Sequence, residues 1–190
     1  MQTAADRIET ANLILRPMNG DDLKDLIAFQ SDAETMRFLG GAKGPEESWR
    51  ALAMLAGSWT VAGYGFFSMI ERASGRWVGR TGPWQPLGWP GPEVGWGVLP
   101  EFAGRGYAHE AAKACIDYVF DHLGWDEVIH TIHPDNARSI RLAERLGSRH
   151  RGPGALPPPN DHMTVDIWGQ TREEWRARSS LKGAGLSIGF

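Results

Sequence analysis

The sequence predicts one α/β domain with a mixed, mostly antiparallel central sheet flanked by helices. Three observations support this fold class. The 190 residues correspond to about one domain of ordinary size. Segments whose apolar residues recur at helical spacing alternate with segments whose apolar residues recur at every second position. Two of the strand-like segments are joined by Ala73-Ser74-Gly75, a turn typical of a hairpin.

The first part of the chain predicts a strand over residues 12–17 and a helix over residues 23–30, with a short helix over residues 32–39. A longer helix is predicted from Pro45, a residue that suits the first helical turn, to Gly57. The predicted inward face of this helix consists of Trp49, Leu52, Ala53 and Ala56.

The middle of the chain predicts three strands, over residues 65–72, 76–80 and 93–99. Between the last two, residues 82–92 contain four prolines and the tryptophans Trp84 and Trp89, a composition typical of a surface loop. Two glycines inside the third strand indicate either a bulge or a close approach of another group to the backbone. These are Gly95 and Gly97.

The last part predicts a long helix to about residue 122, a strand over 128–132 and a helix from Asn136 to Leu146 that Gly147 closes. The sequence then predicts a loop over 152–160, a strand over 162–168 and a helix that begins with the capping box Thr171–Glu174. The long helix has an apolar stripe of Ala108, Ala111, Ala112, Cys115, Ile116, Val119 and Leu123. The predicted order is β-αα-βββ-α-β-α-β, with one domain over residues 1–178 and a loose tail over 179–190.

Composition excludes several classes of protein. A net charge of −3 and a pI near 6.1 disfavour a nucleic-acid partner. One cysteine excludes a disulfide framework and a multi-cysteine zinc site. No apolar run is long enough for a transmembrane helix, and the N-terminus does not resemble a secretory signal. We therefore expect a soluble cytoplasmic protein without a membrane partner. The nine tryptophans exceed the needs of a core, so some are expected to line a cavity or an interface, and they permit a homodimer.

The strongest local signal is a strand, a glycine-rich turn and a helix over residues 95–108. Gly104 and Gly106 allow a tight turn that points the first N–H groups of the helix into a concave nest, where a phosphate or pyrophosphate would bind. Arg105 adds positive charge at its rim. A purely structural turn would have the same pattern. A P-loop is absent, and the dinucleotide fingerprint lacks its third glycine.

The order and spacing of six segments resemble the GNAT (Gcn5-related N-acetyltransferase) family, in the branch that includes ribosomal-protein alanine N-acetyltransferases. The resemblance runs from about residue 10 to about residue 178. Its segments are Leu13–Pro17, the hairpin around Ser74-Gly75, Glu93–Pro100, Gly104–Ala111, Asn136–Gly147 and Thr171–Trp175.

The resemblance implies a GNAT fold with a bulged strand, acetyl-CoA as co-substrate and an amine as acceptor. The glycine turn would bind the CoA pyrophosphate, and the backbone of the third strand would hold the acetyl and pantetheine groups. The residues assigned to CoA in this way are Ala103, Gly104, Arg105, Gly106, Tyr107, Ala108, Trp96, Gly97, Val98, Asn136 and Ser139. Arg145 is a further candidate, although the run Arg138, Arg141, Arg145, Arg149 and Arg151 is more typical of a solvated helix face.

The catalytic candidates are Glu93 and Ser139. Glu93 matches carboxylates that act as bases in relatives, and its alternative is an ordinary exposed glutamate. Ser139 would protonate the leaving thiolate, since many relatives have a tyrosine near position 143 and this chain has Ala143. Ser139 has two other interpretations, support of the helix turn or binding of CoA alone.

Two further pairs of residues are candidates for the same site. Trp84 and Trp89 would form a wall for the acceptor or cap an exposed end of the core. A spacing of three places His130 and His133 on opposite faces of their strand, so that at most one would face the cleft. Because no third residue completes metal-ligand spacing, no metal is predicted.

The sequence therefore predicts an acetyl-CoA-dependent N-acetyltransferase that transfers an acetyl group to a primary amine, either a peptide N-terminus or a small molecule. The amine would attack the thioester directly in a ternary complex, without a covalent acetyl-enzyme. One alternative is a CoA-binding sensor without turnover. Another is a module that binds phosphate ligands in general.

Overall fold

The computed structural model describes residues 7–184. Its strands are β1 (Ile8–Glu9), β2 (Leu13–Pro17), β3 (Phe67–Glu71), β4 (Trp77–Trp84), β5 (Glu93–Val98), β6 (Glu127–Ile132), β7 (Arg149–Gly154) and β8 (Val165–Thr171). Its helices are α1 (Leu23–Ser31), α2 (Ala33–Met36), α3 (Pro45–Val61), α4 (Tyr107–Asp121), α5 (Ala137–Leu146) and α6 (Arg172–Ala184).

The strands form one sheet in the order β1-β2-β3-β4-β5-β6-β8-β7. Neighbouring strands are antiparallel except for the central pair β5 and β6, which are parallel. These two strands pair at one position, where Glu93 lies opposite Ile129. Next to it, the Ile129 N–H donates a hydrogen bond to the Pro92 carbonyl. Beyond that point the two strands are unpaired, so the middle of the sheet is open. The predicted mixed, mostly antiparallel sheet is confirmed.

Helices cover both faces of the sheet. The apolar stripe of α4 packs on one face with residues of α5 and α6, and its members Ala111, Ala112, Cys115, Ile116 and Val119 are fully buried as predicted. Helices α1, α2 and α3 form a second cluster around Phe29, Leu52 and Phe66. The opening between β5 and β6 therefore lies between two separate hydrophobic layers.

Local signals fixed several element ends correctly. The Asn136 side chain accepts a hydrogen bond from the Ser139 N–H and caps α5. Gly147 closes the same helix with φ of 100°, a left-handed conformation that favours glycine. The Thr171 hydroxyl and the Glu174 carboxylate each accept a hydrogen bond from the other residue's backbone N–H, which confirms the capping box.

The predicted inward face of α3 was wrong in part, since Leu52 is buried as predicted but Trp49 and Ala53 are exposed. The helix continues past Gly57 to Val61, and it buries Ser48, Leu52 and Leu55. Trp49 is 59% exposed. Both sets of positions have helical spacing, and the contact with α1 selects the set centred on Leu52 and Leu55.

Residues 82–92 are not entirely a loop. Strand β4 continues through Gly82, Pro83 and Trp84, which pair with Gly95, Val94 and Glu93. Pairing with β3 ends at Thr81, so β4 has a free edge beyond this residue and a proline is tolerated there.

The C-terminal part also differs from the prediction. Residues 149–154 form β7, β8 spans 165–171 instead of 162–168, and α6 continues past residue 178 to Ala184. The order is therefore ββ-ααα-βββ-α-β-α-ββ-α. Strand β7 is polar and lies at the sheet edge, so it lacks the alternation that reveals a half-buried strand. Residues 185–190 of the predicted tail lie outside the described residues, and the domain boundary at 178 stays a prediction.

No helix within residues 7–184 is both long and apolar enough to cross a membrane.

Candidate active site

A cavity of about 220 Å³ lies where β5 and β6 separate. One side is lined by residues of β5, β6 and the start of α5, including Trp96, Thr131 and Ser139. The other side is formed by α1, α3 and nearby loops, with apolar groups such as Met54 and Leu55. The opening in the sheet thus continues into a cleft with a polar floor and an apolar wall.

Glu93 lies at the vertex of this opening and is buried. One carboxylate oxygen accepts hydrogen bonds from the Thr131 N–H (2.9 Å) and hydroxyl (3.0 Å). The other accepts from the Trp89 indole N–H at 2.6 Å. Burial raises the pKa of Glu93, and these donors together with the charge of Arg80 partly oppose the rise. Glu93 is therefore not the exposed glutamate of the alternative interpretation.

Arg80 extends from the middle of β4 on the same sheet face as Glu93. Its guanidinium lies over the ring of Phe66 at 4.7 Å and near that of Phe29 at 5.8 Å. Its Nε is buried without a hydrogen-bond partner, although part of the side chain borders the cavity. Burial lowers the pKa of Arg80 to about 10, still far above neutral, so it remains a cation. Sequence reasoning missed this residue because one arginine in a strand is not a motif.

The strand glycines make room for these groups. A Cβ on Gly95 would lie 2.9 Å from the Phe66 ring, and one on Gly97 would lie 2.6 Å from the Phe29 ring. Pairing of β4 with β5 is regular along its whole length, without a register shift. The predicted bulge in β5 is therefore absent on its β4 side, and its glycines instead allow close packing of aromatic rings.

Trp84 and Trp89 both line the cavity, with ring centroids 6.5 Å apart in an edge-to-face arrangement. Trp84 also packs against Phe66, with centroids 5.9 Å apart. Trp89 stands in the loop before β5 and donates to Glu93. The structure thus brings both predicted acceptor-wall residues to the catalytic candidate.

His130 and His133 both line the cavity, which corrects the prediction that at most one would face it. Strand β6 ends at Ile132, so the alternation of a strand does not apply to His133. His130 is buried, where Nδ1 donates to the Val94 carbonyl at 2.7 Å and Nε2 accepts from the Ser148 hydroxyl. Burial lowers the pKa of His130 to about 4, so the ring is neutral at neutral pH.

Ser139 lies in the first turn of α5, and its hydroxyl accepts a hydrogen bond from the Trp96 indole at 3.3 Å. Asn136, Ser139 and Trp96 all line the cavity. Ala143 is fully buried and is not part of the cavity wall. The structure therefore groups Ser139 with Asn136 and Trp96, one helical turn from the position where many relatives have a tyrosine.

The glycine turn stands at the N-terminus of α4. Gly104 and Gly106 have φ of 78° and 85°, and a Cβ on either would meet open space. No side-chain hydrogen bond from the N-cap Gly106 caps α4, and the first N–H groups of a helix have no acceptor within the helix itself. Ala103, Gly104, Arg105 and Gly106 are exposed. These features fit an anionic ligand at the helix end.

Two side chains of this turn are held by a carboxylate of the β3–β4 hairpin. The Tyr107 hydroxyl donates to Glu71, and Arg105 lies 3.5 Å from the same oxygen. Hydrogen bonds from Ser74 and Tyr107 lower the pKa of Glu71, so it is a carboxylate at neutral pH. The hairpin therefore fixes the position of the turn.

Arg145 is not brought to the cleft. It is exposed in the last turn of α5, at the opposite end from Asn136 and Ser139. Arg149 and Arg151 belong to β7, where they pair with Glu174 and Glu127. The predicted arginine run is thus divided between a helix and an edge strand. Within residues 7–184, no group of three or more histidine, cysteine or acidic side chains could hold a metal ion.

The model of the acetyltransferase (GNAT) domain matches residues 12–149. The chain belongs to the GNAT family of acetyltransferases. This confirms the resemblance seen in the sequence and makes the protein an acyltransferase. The family uses acetyl-CoA as co-substrate and acts on amine acceptors.

Curated relatives of this GNAT chain include an uncharacterized N-acetyltransferase, YnaD, of Bacillus subtilis, 25% identical over 88% of this chain and 98% of that protein. A second relative is the FsC-acetyl coenzyme A-N(2)-transacetylase of Aspergillus fumigatus, 28% identical over 90% and 79% of the two chains.

Solved structures share the fold. An acetyltransferase from Agrobacterium tumefaciens superposes with a TM-score of 0.77 at 24% identity, over 90% of this chain and 98% of that one. A putative ribosomal-protein-serine acetyltransferase from Vibrio cholerae has a TM-score of 0.76 at 20% identity, over 90% and 99%. At these identities the likeness concerns the fold alone.

Proposed function

We propose that the protein transfers the acetyl group of acetyl-CoA to a primary amine by direct attack in a ternary complex. The observation that carries this proposal is the position of Glu93. It is a buried carboxylate at the vertex of two parallel strands, next to the edge of β5 that has no strand partner. This position supports Glu93 as the proton acceptor for an amine that attacks an acyl group held on β5.

Acetyl-CoA would bind along that free edge. Backbone N–H and C=O groups of an unpaired strand edge can pair with the amides of an extended ligand, as in strand addition. This supports Trp96, Gly97 and Val98 as the residues that hold the pantetheine arm and polarise the thioester carbonyl. The N-terminus of α4, over residues 103–108, would receive the pyrophosphate, and Asn136 would contact the cofactor from α5.

The reaction needs one base and one acid. The amine nitrogen attacks the thioester carbon, a C–N bond forms, and the C–S bond breaks. Glu93 takes the proton that the amine loses, directly or through a water. Its raised pKa makes it a stronger base than an exposed glutamate. Ser139 lines the same cavity and would protonate the departing thiolate, while Trp84 and Trp89 would form the wall for the acceptor.

The first test is calorimetric titration with acetyl-CoA, with ATP and NAD as controls. We expect acetyl-CoA to bind with micromolar affinity and the controls not to bind. Gly106→Trp should weaken binding while circular dichroism shows an unchanged fold. Equal binding of ATP and acetyl-CoA would favour the general phosphate-ligand module.

The second test measures CoA release with a panel of primary amines, which includes amino acids, their amides, short peptides and polyamines. Steady acetyl-CoA-dependent turnover is the expected result. Binding of acetyl-CoA without turnover for any amine would favour the CoA-binding sensor. A folded protein that does not bind acetyl-CoA would contradict both the enzyme and the sensor.

A further inference from the structure

The acceptor side of the cavity contains a charge that the transfer chemistry does not use. Arg80 is a cation with a buried, unpartnered Nε, and no hydrogen bond or ion pair joins its guanidinium to residues 7–184. A second buried polar atom without a partner, the Gln30 side-chain oxygen, lines the same cavity. Buried polar groups are normally satisfied, and an unpaired buried charge is costly. The Gln30 oxygen is itself an acceptor, so only Arg80 can pair with an anion. The Nη groups of Arg80 are not among these buried atoms and border the cavity, where they can donate to a ligand.

The surroundings of Arg80 select the charge of that ligand. The rings of Phe66 and Phe29 hold the guanidinium by its face and leave the edge, which carries the N–H donors, to make hydrogen bonds. Glu93 acts on Arg80 through its charge but forms no ion pair with it. Lys43 adds a second cation to the wall. A planar carboxylate matches the fork of donors on arginine better than a neutral group does.

The strand register gives the distance between Arg80 and the proposed base Glu93. Arg80 lies opposite Gly97, four residues along β5 from Glu93, so the two Cα atoms are roughly 14 Å apart at ~3.4 Å per residue. Both side chains are on the same face of the sheet. Because both side chains reach the same cavity, one molecule that carries an amine and a carboxylate can contact both.

Part of the remaining wall is apolar. Trp84, Met54, Leu55 and Phe66 line the acceptor side, and the whole cavity is only about 220 Å³. It suits a compact apolar side chain.

We infer that the acceptor is a small amine that also carries a carboxylate and an apolar side chain, as a free apolar amino acid does. Arg80 binds the carboxylate, Glu93 receives the amine, and the aromatic wall covers the side chain. This inference rests on the proposed function and specifies its acceptor. Arg80 is a specificity residue that touches substrate but takes no part in proton transfer.

The test compares matched acceptors that differ only in the carboxylate, L-phenylalanine with L-phenylalaninamide and L-methionine with L-methioninamide. An amide keeps the amine and the side chain and imitates a peptide N-terminus. Its amine is also less basic, so more of it is unprotonated at neutral pH. An enzyme indifferent to the carboxylate would therefore prefer the amide. We expect kcat/KM for the acids to exceed that for the amides by at least tenfold.

Arg80→Met should lower kcat/KM for the acids by ~30-fold or more, because a charge-assisted hydrogen-bond pair is lost. Loss of the Arg80 charge also raises the pKa of Glu93, so the variants are compared at a pH above the acid limb of each protein. There, turnover of the amides should change by less than about threefold, within the spread of one weak contact. Arg80→Lys should give an intermediate value for the acids, since the charge remains without the fork. Arg50→Met is the matched control, because Arg50 is exposed on α3 away from the cavity, and both substrates should be unaffected.

Three outcomes would overturn the inference. They are equal or better turnover of the amides by the native enzyme, equal losses for both substrate types in Arg80→Met, and turnover of peptides or polyamines without any turnover of amino acids. If Arg80→Met fails to fold, two measurements still test whether Arg80 binds the carboxylate. They are the activity of Arg80→Lys and the comparison of acids with amides in the native enzyme. Failure of the proposed function is distinct, since it would appear as an absence of acetyl-CoA binding or of turnover for every amine.

Discussion

Glu93 combines burial with several hydrogen-bond donors, and the balance between these effects sets its working pH. Because burial raises its pKa, the carboxylate takes up a proton at a higher pH than an exposed glutamate does. The proposed base is active only when deprotonated. Activity should therefore fall on the acid side, at a pH above the ordinary glutamate range.

Glu93→Gln should lower kcat by ~10²–10⁴, the usual contribution of a general base. The dissociation constant of acetyl-CoA should change little, because Gln keeps the size of the side chain. The acid limb of the pH profile assigned to Glu93 should disappear from the residual activity. Glu144→Gln, on the exposed face of α5, is the control. A variant that keeps native kcat and the native acid limb would remove Glu93 from the mechanism.

Arg80 should cost stability, because its charge is desolvated without a partner in the protein. Arg80→Met should therefore leave the free energy of unfolding unchanged or raise it, by up to ~4 kcal/mol, the upper end of the range seen when apolar residues replace buried ion pairs. Urea denaturation of the two proteins measures this. A loss of more than ~2 kcal/mol would mean that the cation–aromatic contacts with Phe66 and Phe29 hold the fold together.

At the scale of elements, strand β5 supplies both the base and a backbone free of side chains on the acceptor face. Gly97→Ala places a Cβ 2.6 Å from the ring of Phe29, which is fully buried and has little freedom to move. We expect a loss of ~1–3 kcal/mol in unfolding free energy from overpacking. Gly57→Ala is the matched control, since its Cβ meets open space within α3 and should stabilise the helix by ~0.5–1 kcal/mol. Equal effects of the two substitutions would contradict this account of the β5 glycines.

The elements also show which signals a single sequence carries. Capping residues and periodic apolar stripes are local, so α4, α5 and the capping box of α6 were predicted correctly. Tertiary contacts decided the rest. Packing against α1 selected the buried face of α3, and the free edge of β4 admitted Pro83. The polar strand β7 depends on pairing with β8 for its existence.

The residues of the candidate site also differ in whether the sequence alone reveals them. The family motifs led to Glu93, Ser139 and the glycine turn, because these residues stand in recognisable segments. Arg80 has no motif, and its significance appears only when burial shows that its Nε lacks a partner. Strand register then relates Arg80 to Glu93 across two strands, which sequence spacing alone does not do.

At the scale of the whole molecule, the sheet is divided in the middle. One hydrophobic layer, with α4, continues under the sheet from β2 to β6 and includes residues of α5 and α6. The other layer packs above β2–β5 with α1–α3. In the sheet itself, β6 pairs with β5 only at the vertex near Glu93. His130 reinforces this vertex through its hydrogen bonds to Val94 and Ser148. A ligand in the opening would connect the two halves by contacts that the free protein lacks.

Acetyl-CoA should therefore stabilise the entire fold cooperatively. At a concentration a hundredfold above its dissociation constant, a ligand that binds only the folded state adds ~2.7 kcal/mol. For a domain of this size, each kcal/mol raises the thermal midpoint by ~2–4 °C, so we expect a rise of about 5–10 °C. Hydrogen exchange should slow in β6 and α5 as well as at the glycine turn, because the ligand ties these elements to β5. Protection confined to the start of α4 would show that only the phosphates bind, and would place the acyl group outside the opening between β5 and β6.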